Sequence, residues 1–598
     1  MAYYCFHASI FIILGILTSN SIGQIIVNTD KGLVRGTTEL VGQTTLHKYL
    51  GIPFAEPPIG VNRFKPSRPL NSSWPGVLNA TKYSSSCIQF VPVFRSPLTA
   101  PESIINENCL YLNVFTTAPS IAGNKSVMVW IHGGGYIGGS GANWQPQTLA
   151  VMEDIVVVTM NYRLGIFGFT TSGEANANSR SIQANLGFLD QQLAMAWVQN
   201  NIEQFGGNKD AVTLAGFSAG SFAVGIHLVA PSSSGLYRYA IMESGTILDG
   251  RSVAEARATF LRIGQVGQCN TSNLRAIYQC INKYNSTILL QIQFALLREN
   301  PANFGLVIDG RFLNENPRKL LQDGRFFKGR LLIGTTLQDG YSFIPPLVTR
   351  QVFLGYVSNW FREYPPSARA SVINRYTDYT NIDSPTVNRM KLGELSNDAL
   401  FLSTSDFMAQ KYSKHAPTYN YVWTYHTQQD IYLPAYMGVT HSMDVPYFYG
   451  YPVQKPAYYL TNFTTAEAQL SRDSMKMWGN FIHTGDPSTS KVTWPQYNSS
   501  NPNCLNISLQ SMKAVTNYKR NKIAFFNQYM TPQFGPPFDI TTSVTFQPTM
   551  MFTTNGTVVQ ESTFRVVAFV MIGVSAALLL LIFILCFTYC RGGGSHKN

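Results

Sequence analysis

Short runs of β-branched and apolar residues recur along this chain and alternate with stretches of helical period. Residues 127–131, 155–160, 211–215, 239–242 and 330–333 are each strand-length and almost uninterrupted by polar side chains, as strands covered on both faces are. Between them, residues 186–204 place Leu189, Leu193, Ala196, Trp197 and Ile202 near a 3.6-residue repeat. Strand and helix in alternation predict an α/β fold: a mostly parallel central sheet with helices on both faces. Two apolar runs fall outside that alternation. Residues 8–18 have the length of a secretory leader's apolar core, with Ser21 and Gly23 at −3 and −1 of a cleavage site before Gln24. Residues 566–589 carry no charge and are long enough to span a bilayer with some tilt.

These ends organise the rest. The pattern predicts a signal peptide at 1–23, a main domain at 24–535, a stalk at 536–564, a transmembrane helix at 565–590 and a short cytoplasmic tail at 591–598. Pro532, Pro536 and Pro537 mark the start of the stalk, which is rich in Thr, Ser and Val. A removed lipid-anchor signal normally ends in its apolar segment, so the polar tail favours a true span. With a cleaved leader, the main domain lies outside the cytosol: a type I single-pass protein of the secretory pathway, at the cell surface or an endomembrane. Cys586 and Cys590, at the inner end of the span, suit S-acylation.

Composition fits a large buried core. Of 598 residues 45% are hydrophobic and only 13% charged, and the net charge of +12 is spread thinly. There is no run of five Lys or Arg and no nucleic-acid-binding motif, so nucleic acid is not an expected partner. No motif calls for a cofactor or a metal, and none singles out an oligomer interface.

The chemistry concentrates at Gly216-Phe217-Ser218-Ala219-Gly220, after a predicted strand and before the helical stretch 222–226. Strand, sharp turn and helix form the context of a nucleophile elbow, in which glycines two residues either side of the serine make room for strained backbone. Such a serine needs a base, an acid to orient it and donors for the oxyanion. The strand 127–131 runs into His132-Gly133-Gly134-Gly135-Tyr136, so the N–H groups of Gly134, Gly135 and Ala219 are the candidate oxyanion hole. For the base, His7 lies in the leader, His596 in the tail and His132 in the glycine turn. His227 sits nine residues into the elbow helix, on the order of 13 Å from the serine. An order of serine, acid and histidine leaves His415, His426, His441 and His483.

From about Ile25 to about Gln533 the chain resembles the type-B carboxylesterases, the branch of α/β-hydrolases that includes the cholinesterases. The resemblance rests on residues 106–114 (NENCLYLNV), the glycine turn, residues 161–165 (NYRLG), 185–192 (NLGFLDQQ) and 205–208 (FGGN) before the elbow. It implies an α/β-hydrolase fold and a small-molecule ester as substrate. Its acid motif falls on Gly334 to Gly340 and gives that role to Asp339; its G-x-x-H motif falls on Gly438 to His441. The implied triad is Ser218, Asp339 and His441, with Asp where many relatives have Glu, so the acid loop should sit about one methylene closer. Ser244 and Asp444 match positions of supporting residues, and His483 falls where the family has other residues, which makes it structural. The family's disulfides imply Cys87–Cys109 and Cys269–Cys280, leaving Cys504 without an evident partner. Sequons begin at Asn71, Asn79, Asn124, Asn270, Asn285, Asn462, Asn498, Asn506 and Asn555, all ahead of the span.

The resemblance implies a membrane-anchored serine carboxylesterase acting through an acyl-enzyme. A second reading is a cell-surface adhesion or recognition protein, because some relatives with such a span have lost the triad; all three positions here are chemically competent. Choline-selective relatives carry an indole in the loop closed by the first disulfide and an acid just before the nucleophile. Here residues 87–109 contain no Trp and Phe217 precedes Ser218, which predicts neutral, fairly hydrophobic esters.

Overall fold

The computed structural model describes residues 25–531, apart from 91–103, 118, 120–122, 174–181, 248, 301–302, 363 and 432–436. The predicted signal peptide, stalk, transmembrane helix and tail therefore lie outside the described residues, as do Asn555, Cys586 and Cys590. No helix among the described residues is long and apolar enough to cross a membrane.

One sheet organises the described chain. Its strands are β1 (Thr37–Val41), β2 (Thr44–Pro53), β3 (Tyr111–Thr116), β4 (Lys125–Ile131), β5 (Val156–Met160), β6 (Gly207–Phe217), β7 (Tyr239–Glu243), β8 (Arg330–Thr336), β9 (Thr418–Trp423), β10 (Asn503–Ile507) and β11 (Met512–Thr516). They lie in the order β11-β10-β9-β8-β7-β6-β4-β5-β3-β2-β1. Pairing is parallel from β5 through β4, β6, β7, β8 and β9 to β10, and antiparallel at both margins. The five runs singled out by pattern are β4 to β8, five adjacent strands of the parallel block.

Their unbroken hydrophobicity has a direct cause. Along β4, Val127, Val129 and Ile131 enter the core on one face while Met128 and Trp130 enter the core on the other. In β7, Ala240 and Met242 are divided from Tyr239 and Ile241 in the same way. Successive side chains point to opposite faces, so a strand covered on both sides leaves few positions for a polar residue, and those present, such as Thr159, Thr213 and Glu243, are buried. Helices α1 (Leu186–Asn201) and α2 (Ala219–Val229) cover the first face, and α4 (Thr465–Thr484) covers the second; α3 (Pro385–Asn397) belongs to a third, helical core beside the sheet. The predicted helix 186–204 is α-helical only to Asn201. Residues Ile202–Phe205 tighten into a 3₁₀ turn that Gly206 closes at φ 84°.

Two family motifs act as internal clamps. Arg163 from the 161–165 stretch is paired with Asp190 of α1 through two guanidinium bonds of 2.8 and 2.6 Å, and both side chains are almost wholly buried. Asn161 accepts from the Gly141 N–H (2.8 Å) and donates to the carbonyls of Ser85 and Cys109, tying the end of the glycine turn to the first disulfide loop. Both disulfides, Cys87–Cys109 and Cys269–Cys280, are formed, and Cys504 is a free, buried thiol.

Candidate active site

Ser218 stands between the end of β6 and the first turn of α2, at φ 55° and ψ −123°. That conformation is costly for a residue with a side chain, of order 1–3 kcal/mol, and persists where surrounding packing dictates it. The packing is visible in the glycines. A Cβ on Gly216 would collide with the carbonyl of Gly220, and one on Gly220 with the carbonyl of Ile131. The Ser218 N–H is held by the Glu243 carbonyl at 2.9 Å, which fixes the tip of the turn to the end of β7. Because α2 begins at Ala219, the Ala219 N–H is one of the donors a helix leaves unsatisfied at its start.

The glycine turn lies against this tip. A Cβ on Gly133 would stand 3.0 Å from the Ser218 Cβ. Gly134 and Gly135 take left-handed φ values of 113° and 63°, and the Gly134 carbonyl accepts from Ile137 and Gly138. Gln89 anchors the turn from the disulfide loop, its amide exchanging two 2.8 Å bonds with the backbone of Gly139. The His132 imidazole is stacked on Tyr162 at 4.3 Å, and burial holds its pKa down to about 4, so it is a neutral prop for the turn.

His441 and Asp339 meet from two loops. The Asp339 Oδ1 is 2.8 Å from the His441 Nδ1. Its Oδ2 accepts from the Ser244 hydroxyl (3.0 Å) and the Thr336 N–H (2.8 Å), so the carboxylate is saturated with donors. The Nε2 of His441 is buried and has no hydrogen-bond partner among the described residues. Three phenyl rings surround the imidazole: Phe217 at 4.6 Å, Phe343 at 5.1 Å and Phe401 at 5.4 Å. Phe217 is the residue before Ser218, so its contact puts the imidazole beside the elbow. Phe401 comes from a π-helical turn, Asp398–Leu402, where α3 is interrupted.

Of the other histidines, His483 and His227 are engaged elsewhere, and the Nε2 of His426, like that of His441, is buried without a hydrogen-bond partner among the described residues. His483 bridges the Ser126 hydroxyl and the Glu153 carbonyl, and His227 bridges Ser233 and Gln191. Asp444 is fully buried beside Asp339. Its Oδ2 accepts from the Tyr421 hydroxyl (3.0 Å), and burial, with the Asp339 charge second, pushes its pKa up to about 7. Glu243, which the sequence pattern did not single out, accepts from the Trp478 indole (3.0 Å) and is raised well above the usual carboxyl range by burial and by Asp444. A local motif marks Ser218; nothing local marks Glu243, Phe401 or Gln89, which reach the site through the tertiary fold. Among the described residues no three His, Cys, Asp or Glu side chains could hold a metal ion.

Of the eight sequons within the described residues, seven asparagines are exposed. Asn506 is half-buried in β10, between β9 and β11, and its side chain accepts from Thr424 at 2.6 Å.

The chain has relatives among known proteins. The chain is 32% identical over 531 residues to the mouse (Mus musculus) protein named cholinesterase, covering 84% of this chain and 86% of that one. It is 31% identical over 540 residues to the acetylcholinesterase of Bungarus fasciatus, covering 85% and 87%. The model of the carboxylesterase family matches residues 23–526, nearly the whole described chain, and the protein belongs to that family.

Proposed function

We propose that the protein is a serine carboxylic ester hydrolase for neutral, fairly hydrophobic small esters. His441 takes the Ser218 proton on Nε2, and Ser218 Oγ attacks the ester carbonyl. Asp339 holds the imidazole by Nδ1 and stabilises the imidazolium. The N–H groups of Gly134, Gly135 and Ala219 receive the oxyanion. His441 returns the proton to the leaving alcohol, and water then releases the acid from the acyl-enzyme by the same steps in reverse roles. The observation that carries this reading is the saturated Asp339 carboxylate on Nδ1, with Nε2 left unbonded beside the residue that precedes a strained serine.

The named relatives are cholinesterases, but the elements that would hold a quaternary ammonium are replaced here. Phe217 occupies the place of the acid beside the nucleophile, and residues 87–109 offer no indole. Profiling the purified ectodomain on p-nitrophenyl esters of graded acyl length, with acetylthiocholine against an uncharged thioester of similar size, tests both parts. Hydrolysis of neutral esters with a higher kcat/KM than for the choline compound is expected; a clear preference for the choline compound contradicts the specificity, and no ester hydrolysis contradicts the function.

The expected topology is a type I membrane glycoprotein with this domain outside the cytosol. Carbonate washing should leave it in the membrane pellet, whereas release by a phosphoinositide-specific phospholipase overturns the spanning anchor. Glycosidase treatment should shift its mass, with glycans on the seven exposed sequons of the domain and none on Asn506.

A further inference from the structure

Three carboxyl groups converge at the site: Asp339 after β8, Glu243 at the end of β7 and Asp444 three residues beyond His441. All are buried, with at most 1% exposure, and no Lys or Arg pairs with any of them among the described residues. Asp339 has donors on both oxygens, as an anion requires. Glu243 has a donor on one oxygen only, and Asp444 has the Tyr421 hydroxyl on one oxygen, with its own N–H and that of Val445 adding weaker support to its charged form. Glu243 Oε1 takes the Trp478 N–H and Asp444 Oδ2 takes the Tyr421 hydroxyl, while Glu243 Oε2 and Asp444 Oδ1 are buried with no hydrogen-bond partner among the described residues.

The groups facing this pair supply no positive charge. Around Glu243 they are Asp444, Tyr421, Tyr449 and Trp478; around Asp444 they are Asp339, Tyr421 and Glu243. Burial holds Tyr421 and Tyr449 in their neutral form. Two adjacent buried carboxylates, each with an uncovered oxygen, are expensive to ionise together, whereas one proton between them satisfies both oxygens. We propose that Glu243 and Asp444 share one proton at neutral pH, directly or across one water, and serve as positioning residues that leave Asp339 the ionised partner of His441. The upward shifts of both carboxyls have the same direction. The positioning role rests on His441 being the base, as proposed above; the shared proton does not.

The test compares the intact protein with Glu243→Gln and with the double variant Glu243→Gln/Asp444→Asn. Glutamine imitates the protonated carboxyl, so the single variant keeps the charge of the pair, and the double variant removes it. Infrared difference spectra at pH 7 should show one neutral-carboxyl C=O band in the wild type that is lost in Glu243→Gln; no such loss overturns the shared proton, whatever the activity. The acid limb of kcat/KM should stay within about 0.3 pH unit in Glu243→Gln. It should move down by about one unit in the double variant, because removing a nearby negative charge makes the imidazolium less stable. A limb that moves equally in the single variant, or stays fixed in the double, overturns the positioning role. Absence of any esterase activity in the wild type would instead remove the functional reading and leave the infrared result to decide the pair.

Discussion

Ser218, Asp339 and His441 differ in how much of each was legible in the chain. The serine was, because its requirements are local: glycines at i−2 and i+2 answer collisions with the Gly220 and Ile131 carbonyls. Residue pattern alone left four histidines open, and only the resemblance chose His441. The contacts that aim the imidazole join residues up to about a hundred positions apart; only the resemblance pointed to Ser244 on Asp339, and those of Phe343 and Phe401 on the ring leave no trace in the sequence. Asp339→Asn should keep the shape but place a donor against Nδ1, lowering kcat by about 10⁴-fold with the fold intact by circular dichroism. Ser244→Ala removes one of three donors to the carboxylate, and a loss of about tenfold in kcat/KM is expected, the order of a hydrogen bond to a charged group. Phe217→Glu would put an anion beside the nucleophile. The kcat/KM ratio of acetylthiocholine to a neutral thioester should then rise by about tenfold, and a fall would show that the cation does not pass this position.

Among the elements, those legible from pattern are the ones buried on both faces. Strands β4 to β8 carry apolar runs because both sheet faces are covered, whereas the period read along α1 marks its core face only in part: Leu189, Leu193 and Ala196 are half-buried, and Phe188, Ala194, Met195 and Val198 enter the core with Trp197. Strand β9, Thr-Tyr-Asn-Tyr-Val-Trp, mixes polar and aromatic residues, and the antiparallel marginal strands are partly exposed, so neither gives a clean run. The motif residues Arg163 and Asp190 prove to be a clamp holding α1 to the segment after β5 and, through the Arg163 bond to the Lys65 carbonyl, to the loop beyond β2. Breaking a buried pair leaves an uncompensated charge. Asp190→Asn should therefore cost about 3–5 kcal/mol in urea unfolding of the isolated domain. A cost below about 1 kcal/mol would mean that the guanidinium finds another partner or water.

At the scale of the whole molecule, the mostly parallel sheet of the described chain was legible from strand and helix alternation, and its α/β-hydrolase character only from the family resemblance. The predicted terminal segments lie outside the described residues. Net charge said little, since the electrostatics that matter are the buried carboxyls and not the surface excess of +12. Those carboxyls tie global stability to pH. An Asp444 carboxyl pushed up to about 7, against about 3.9 in an unfolded chain, binds its proton more tightly in the folded state. Stability from this source is therefore present at low pH and lost as pH rises between about 4 and 7. The Tm of Glu243→Gln/Asp444→Asn relative to wild type should accordingly increase across that window, and a difference that is flat or declines with pH would show that the pair is ionised in the native protein.

The central claim is that Ser218 is a nucleophile activated by His441, and covalent labelling of the folded protein tests it most directly. A fluorophosphonate probe followed by peptide mapping should place one adduct on Ser218. The label should be absent in Ser218→Ala and slowed by on the order of 10⁴-fold in His441→Ala. An adduct on a different residue, or none on folded wild-type protein, would contradict the account.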